Sequence, residues 1–136
     1  MDITTKRTVI RLRLQKAHED LETARDLLQS RRWRAAVNRA YYTIFHVTSA
    51  ALLWREVERV KHSAIQSALN EFLVKPGLIE AEYGQLYRIA REWREEQDYS
   101  DTARELNEPM ATRIVEDAER FVARLERYLR QVGAIE

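Results

Sequence analysis

Cysteine is absent from the chain, and proline and glycine are scarce, with two prolines and three glycines among 136 residues. The lack of cysteine excludes disulfides and thiolate metal sites, and it makes a reducing cytoplasm the expected setting. With so few turn-forming residues, the sequence predicts long regular elements. The length suits a single domain, so residues 1–136 are predicted to fold as one unit.

Long uninterrupted apolar runs are also missing. The most apolar window extends from Ala35 to Trp54, but it contains Asn38, Arg39 and His46. A membrane-spanning helix needs about 20 mostly apolar residues, and a charge near its centre is costly. The polar start, MDITTKR, predicts no secretory signal. The sequence therefore predicts a soluble chain without a membrane partner.

Neither sign of charge is in large excess, because the formal net charge is +1. The overall charge gives no support for nucleic-acid binding. Its distribution is uneven, since basic residues predominate in residues 1–61 and acidic residues in residues 62–136. Two interpretations stay open: a basic surface for phosphates or an acidic partner, or two halves that pair with each other in the fold.

Several familiar catalytic motifs do not occur. The three histidines, His18, His46 and His62, lack the i, i+4 spacing of a helical zinc site. There is no glycine-rich phosphate loop and no Gly-x-Ser-x-Gly elbow. We therefore predict neither a metal site nor a cofactor.

The residues that are present repeat with helical periodicity, because apolar positions recur at spacings of three and four. We predict an all-α, up-and-down four-helix bundle with an additional shorter helix. Ser63 and Gln66 form a capping-box pattern at the start of the short helix, and Ser100 to Glu105 should be a polar loop. The predicted helices are about Lys6–Gln29, Trp33–Trp54, a short helix from just after His62 to Pro76-Gly77, Glu80–Tyr99, and one from Pro109 to Gly133.

The second predicted helix is apolar nearly all round, which is typical of a helix covered on most faces. Small residues (Ala35, Ala36 and Ala50) lie on the other side of the helix from its apolar stripe. This helix is therefore predicted to form the centre of the fold. The stripe consists of Val37, Tyr41, Ile44, Thr48, Ala51 and Leu52.

Arg39 and His46 lie two turns apart on this central helix, within roughly 20° of each other around its axis, and Tyr42 lies between them. The arginine has the donors to hold a phosphate, and the histidine can transfer protons near neutral pH. The alternative is structural, with Arg39 paired to an acidic residue of a neighbouring helix and His46 hydrogen-bonded in the core.

Two further groups of polar residues are candidates. His62 precedes the short helix, and Arg94, Asp98 and Tyr99 close the fourth helix. Each has an ordinary alternative: a loop histidine in the first case, and a surface ion pair between Arg94 and Asp98 in the second. The cluster Arg31-Arg32-Trp33-Arg34 could contact phosphates and a base, or be a solvated turn whose tryptophan is anchored in the core.

Three segments together resemble HEPN domains: NRAYYTIFH (residues 38–46), KHSAIQSALNEFLVKPGLI (residues 61–79) and REWREEQDYSD (residues 91–101). The similarity is to short stand-alone bacterial and archaeal members and covers about residues 16–128. It implies a helical bundle that forms a homodimer, often encoded beside a minimal nucleotidyltransferase (MNT) as a toxin–antitoxin pair. Many members are metal-independent ribonucleases that carry an arginine, four to six residues, and then a histidine. Arg39 and His46, separated by six residues, satisfy that spacing.

The resemblance thus implies a cytoplasmic ribonuclease toxin in which Arg39 binds phosphate, His46 transfers protons and Tyr42 orients both. Two copies of His46 in a dimer groove would supply a base and an acid, and Ala35, Ala36 and Ala50 would permit close approach of the second subunit. The residues expected to line the rim and bind substrate are Asn38, His62, Arg94, Asp98 and Tyr99. Two alternatives stay open: a non-catalytic module that binds a nucleotide or the nucleotidyltransferase, and a purely structural helical adaptor.

Overall fold

A computed structural model describes residues 1–101 and 104–136, and every regular element in these ranges is helical. The predicted all-α bundle of four long helices and one shorter helix is therefore confirmed. Thr102 and Ala103, which belong to the predicted polar loop, lie outside the described residues. None of the described helices is long and apolar enough to cross a membrane. The helices are α1 (Ile3–Gln29), α2 (Trp33–Trp54), α3 (His62–Leu69), α4 (Ala81–Tyr99) and α5 (Glu108–Gln131), and α3 continues into a π-helical turn, Asn70–Val74.

Capping residues explain where the outer helices begin and end. The first helix starts at Ile3, three residues before the predicted start, because the Asp2 carboxylate accepts a hydrogen bond from the backbone N–H of Thr5 at 2.8 Å. The side chain of Asn107 caps α5 in the same way, and Gly133 adopts a left-handed φ of 79° just after its end. The end of α5 at Gly133 agrees with the sequence-based prediction, and its start at Glu108 lies one residue before the predicted Pro109.

The predicted capping box of the short helix is wrong. The helix starts one residue earlier, at His62, and no side chain caps its first turn. The Gln66 side chain does not reach back to the helix start, because its Oε1 accepts a hydrogen bond from Arg91 of α4 at 2.9 Å. A tertiary contact has therefore replaced the local one, and it ties α3 to α4.

The four long helices alternate in direction along the chain, as cross-helix pairs show. Helices α1 and α5 are antiparallel, since Arg25 pairs with Glu119 and His18 with Glu126. The same order holds between α4 and α5, where Glu80 bonds Arg124 and Glu82 bonds Arg120. Helix α2 contacts all the others and contains the largest share of the core, including Tyr41, Ile44 and Leu52, which are fully buried. The prediction of a central second helix is confirmed.

A tight turn at Arg31 sets the register of the α1–α2 hairpin. Arg31 has a left-handed φ of 60°, and residues equally distant from it on either side face each other. Lys6 bonds Glu56, and Arg13 donates to the backbone carbonyl of Ser49, in agreement with this symmetry. The same register places position 20 of α1 level with position 42 of α2.

Helix α4 approaches the π-helical turn closely at Gly84. A Cβ at this position would lie 2.4 Å from the Asn70 side-chain oxygen. A glycine here lets the start of α4 pack against the segment that follows α3. This contact helps to hold α3, and hence His62, against the rest of the bundle.

Candidate functional site

One face of α2 is only partly covered by the rest of the chain, although the helix is otherwise buried. Polar and aromatic side chains of this face lie between α1 on one side and α3 and α4 on the other. The half-buried residues of this face are Ala35, Asn38, Arg39, Tyr42, Phe45, His46 and Ser49. We call it the open face of α2.

A single carboxylate joins the two residues that the sequence singled out. Oδ1 of Asp20, on α1, lies 3.1 Å from Nη1 of Arg39, and its Oδ2 lies 3.4 Å from Nε2 of His46. The side chains of Arg39 and His46 remain 36% and 23% exposed. The guanidinium and the imidazole thus converge on one anion at the protein surface, as a pair two turns apart can do. Arg39 is thus paired with an acidic residue of a neighbouring helix, as the alternative, structural interpretation expected.

Asn38 connects this pair to the end of α4. Its Oδ1 accepts hydrogen bonds from Nη2 and Nε of Arg39 at 2.7 and 3.1 Å, and its Nδ2 donates to Oδ2 of Asp98 at 3.0 Å. Nη1 of Arg94 lies 3.7 Å from the same Asp98 oxygen. The structure therefore brings residues from α1, α2 and α4 into one polar network.

Arg94 is buried, contrary to the surface ion pair considered for it. It is 5% exposed, and its guanidinium carbon lies 4.6 Å from the ring centre of Tyr41 and 5.7 Å from that of Tyr42. Its contacts with Glu95 and Asp98 are both 3.7 Å long, and its Nε has no hydrogen-bond partner. Cation–π contact with the tyrosines is thus the main interaction of this charge.

His62 is attached to the core through its Nδ1 atom. The hydroxyl of Tyr41 lies 2.8 Å from Nδ1 and 3.4 Å from the hydroxyl of Tyr87, so the three groups form one hydrogen-bonded chain. The imidazole also stacks on Phe45 with ring centres 4.5 Å apart. His62 is therefore held firmly beside the open face, and it is not the ordinary loop histidine of the alternative interpretation.

Burial lowers the pKa of both histidines at the site. For His46 the nearby charges of Lys16, Arg39 and Arg13 lower the pKa further, and only Asp20 raises it. For His62 the positive charge of Arg94 is the next largest cause after burial. Both imidazoles are therefore mainly neutral at pH 7 and can accept a proton.

Two tyrosines complete the arrangement. The ring centre of Tyr42 lies 4.8 Å from the guanidinium carbon of Arg39, and 6.2 and 5.7 Å from the rings of His46 and His62. Tyr99 lies at the end of α4, where it is 78% exposed and 5.9 Å from the guanidinium carbon of Arg94. All eight residues selected from the sequence thus belong to one connected region, in which Arg94 is buried.

Two of the three small residues of α2 are not available to a second subunit. Ala36 and Ala50 are fully buried within the chain, so neither can contact a second subunit, and only Ala35 is partly exposed. The rest of the chain covers the faces of α2 that carry both residues. The expectation that all three permit close approach of a partner is therefore wrong.

The basic cluster forms the turn between α1 and α2. Trp33 packs against the core, and the guanidinium of Arg31 lies 5.5 Å from the Trp33 ring centre and 3.7 Å from Glu108. This arrangement matches a solvated turn with an anchored tryptophan. The two halves of the chain pair only in part, since Arg25 and Arg31 reach acidic residues of α5 but other basic residues of α1 bond within the first half.

Sequence reasoning missed Asp20 and the polar role of Tyr41. Asp20 borders the buried stripe of α1, and a hairpin centred on Arg31 would have placed it level with Tyr42, so a signal was present. Tyr41 was counted only as a core residue, because periodicity records burial and not the direction of a hydroxyl. Among residues 1–101 and 104–136, no three histidine or acidic side chains converge where a metal ion could bind.

Comparison with known proteins agrees with this architecture. The model of the HEPN domain family matches residues 10–128, and the chain belongs to that family. A Methanocaldococcus jannaschii protein named as a candidate toxin is 32% identical over 126 residues, which is 93% of this chain and 92% of the relative. A Thermotoga maritima protein named only as a UPF0332 protein is 33% identical over 124 residues, covering 91% and 93%. A second M. jannaschii protein named as a candidate toxin is 27% identical and covers 95% of this chain and 86% of its own length.

Proposed function

We propose that this chain is a HEPN toxin that cleaves RNA without a metal ion, through Arg39, Tyr42 and His46. The observation that carries the proposal is the convergence of the Arg39 guanidinium and the His46 imidazole on one anion at a partly exposed surface. Two archaeal relatives named as candidate toxins support the biological role.

RNA supplies its own nucleophile, so the protein needs to move protons and stabilise charge. His46 accepts the proton of the 2′-hydroxyl while that oxygen attacks phosphorus. Arg39 donates hydrogen bonds to the phosphate oxygens, whose charge grows in the transition state. The bond to the 5′-oxygen breaks, a second imidazole protonates that oxygen, and the products end in a 2′,3′-cyclic phosphate and a 5′-hydroxyl. Tyr42 orients both side chains through its ring contacts.

The rim of the site is suited to holding the rest of the RNA. Tyr99 offers an exposed ring on which a base can stack, and Arg94 adds positive charge beside it. The same face carries the polar side chain of Asn38, which bonds Asp98, and His62 lies beside it. In this proposal they contact the nucleotides that flank the cleaved bond.

The second imidazole comes from a second copy of the chain. A homodimer joined across the open face of α2 would place two His46 side chains around one groove and cover the half-exposed rings of Tyr42 and Phe45. The toxin would act in the cytoplasm, with a minimal nucleotidyltransferase as its partner. Measuring the molar mass in solution by light scattering tests the dimer, and a mass near 16 kDa would contradict it.

The cleavage test uses single-stranded RNA in EDTA with wild-type protein, His46→Ala and Arg39→Ala. We expect each variant to lose about 100-fold or more in rate. His18→Ala and Arg25→Ala are matched controls, because both side chains pair with α5 residues away from the site, and they should cleave normally. Equal cleavage by wild type and His46→Ala would contradict the proposal.

One observation favours a second candidate, a non-catalytic module that binds a nucleotide or the partner nucleotidyltransferase. Asp20 pairs with Arg39 and contacts His46, so both side chains already have a protein partner, which disfavours catalysis more than it disfavours binding. This candidate predicts no cleavage by any variant. It also predicts that wild type retains binding of nucleotide or partner and that Arg39→Ala weakens it.

A further inference from the structure

Asp20 differs from the other members of the site because it comes from α1, and its two oxygens face two different groups. Oδ1 is 3.1 Å from Arg39 Nη1, and Oδ2 is 3.4 Å from His46 Nε2, while the side chain is 18% exposed. The register of the α1–α2 hairpin fixes this position, as it also fixes the Lys6–Glu56 pair. The carboxylate therefore occupies the space where a phosphate that bound both residues would place its oxygens.

The charges around His46 give this carboxylate a second effect. The cationic groups that act on the imidazole are Lys16 and Arg13 of α1 and Arg39 of α2, and all three disfavour its protonation, as burial does. Asp20 alone acts in the opposite direction. The protonation of His46 and the availability of Arg39 thus depend on one side chain.

We propose that Asp20 is a positioning residue that orients His46 and at the same time competes with a bound phosphate for Arg39. Its removal should therefore have opposite effects on the two steps of the proposed reaction. Phosphate-bearing ligands bind more tightly, because a like charge is gone and the guanidinium is free. Proton transfer becomes less efficient, because the imidazole loses the group that fixes its orientation.

The inference rests on the proposed function for the turnover step only, so its decisive measurements do not require cleavage. The variant is Asp20→Asn, which keeps the size of the side chain and removes its charge. Asp26→Asn is the matched control, because it removes the same charge from an exposed position of α1. Asp20→Glu restores the charge and should recover wild-type behaviour in part.

Two measurements test the role of Asp20: the pKa of His46 and the affinity for an oligonucleotide. In NMR titrations the His46 pKa should be lower in Asp20→Asn than in wild type and unchanged in Asp26→Asn. A 2′-O-methyl oligonucleotide, which cannot be cleaved, should bind Asp20→Asn about fourfold or more tightly, the effect of one unit charge about 5 Å away in water. An unchanged or higher His46 pKa, or binding that is equal or weaker, would overturn the inference.

The outcome can be separated from that of the proposed function. If wild-type protein cleaves RNA, Asp20→Asn should show a lower kcat together with a lower KM, a split that simple loss of folded protein would not produce. If no variant cleaves RNA, the ribonuclease proposal fails, and the two readouts above still decide the role of Asp20.

Discussion

Replacing Tyr41 by phenylalanine tests whether the hydrogen-bonded chain of Tyr87, Tyr41 and His62 holds the site together. Both tyrosines are fully buried, so neither hydroxyl can turn to solvent. The Tyr41→Phe change removes the 2.8 Å bond to His62 and leaves the Tyr87 hydroxyl without its 3.4 Å partner. We expect a loss of stability and a change in the environment of His62.

The magnitude follows from these two losses. A hydrogen bond of this kind contributes about 1 kcal/mol net, and a buried hydroxyl left without a partner costs about 1–3 kcal/mol. The imidazole of His62 is half-buried and can partly be solvated instead. We therefore expect Tyr41→Phe to lower the free energy of unfolding by about 2 kcal/mol, or the Tm by roughly 6 °C for a chain of this length.

Two companion variants separate the contributions of the two hydrogen bonds. Tyr87→Phe removes only the long 3.4 Å contact and should cost less than about 1 kcal/mol. The double variant should be more stable than Tyr41→Phe alone, because no buried hydroxyl is left unpaired. Urea unfolding of the four proteins measures all three differences. Strictly additive effects, or no loss in Tyr41→Phe, would refute this account of the chain.

Three further predictions concern stability. Burial lowers the pKa of His46 and His62, so both imidazoles take up protons on unfolding at low pH. The free energy of unfolding should therefore be highest above about pH 6.5 and fall as the pH drops below that value. Urea midpoints at pH 7.5 and 5.5 measure this difference, and equal midpoints would contradict it. Asn107→Ala should cost about 1 kcal/mol through loss of the α5 cap, whereas Asn107→Asp should not, as thermal unfolding would show. Arg124→Ala should lower the free energy of unfolding by about 2–3 kcal/mol, because the guanidinium is buried and donates two hydrogen bonds to the Glu80 carboxylate. A change below about 1 kcal/mol in chemical unfolding would argue against a structural role of this pair.

The sequence predicted the helices well because local signals determine their ends. Trp33 and Trp54 bound α2 as predicted, and Asn107 and Gly133 act at the ends of α5. The prediction failed where a tertiary contact replaced a local one, as with Gln66, whose side chain bonds α4 instead of its own helix.

The candidate site could be located from the sequence, but its internal pairing could not. Spacing placed Arg39 and His46 on one face, and they do converge. The burial of Arg94 depends on the tyrosine rings of another helix, which no pattern along α4 records. Asp20 requires the hairpin register, which becomes known only when α1 and α2 are paired. Side chains contributed across helices are thus the part of the site that periodicity leaves out.

We propose that Arg39 and His46 act on a phosphodiester through the 2′-hydroxyl of RNA. The most direct test compares one oligoribonucleotide with a copy that carries a single 2′-O-methyl group at the cleaved position, in EDTA, by mass spectrometry of the products. We expect 2′,3′-cyclic phosphate and 5′-hydroxyl ends from the first substrate and no cut at the blocked position in the second. Cleavage of both substrates, or products with a 5′-phosphate, would contradict it.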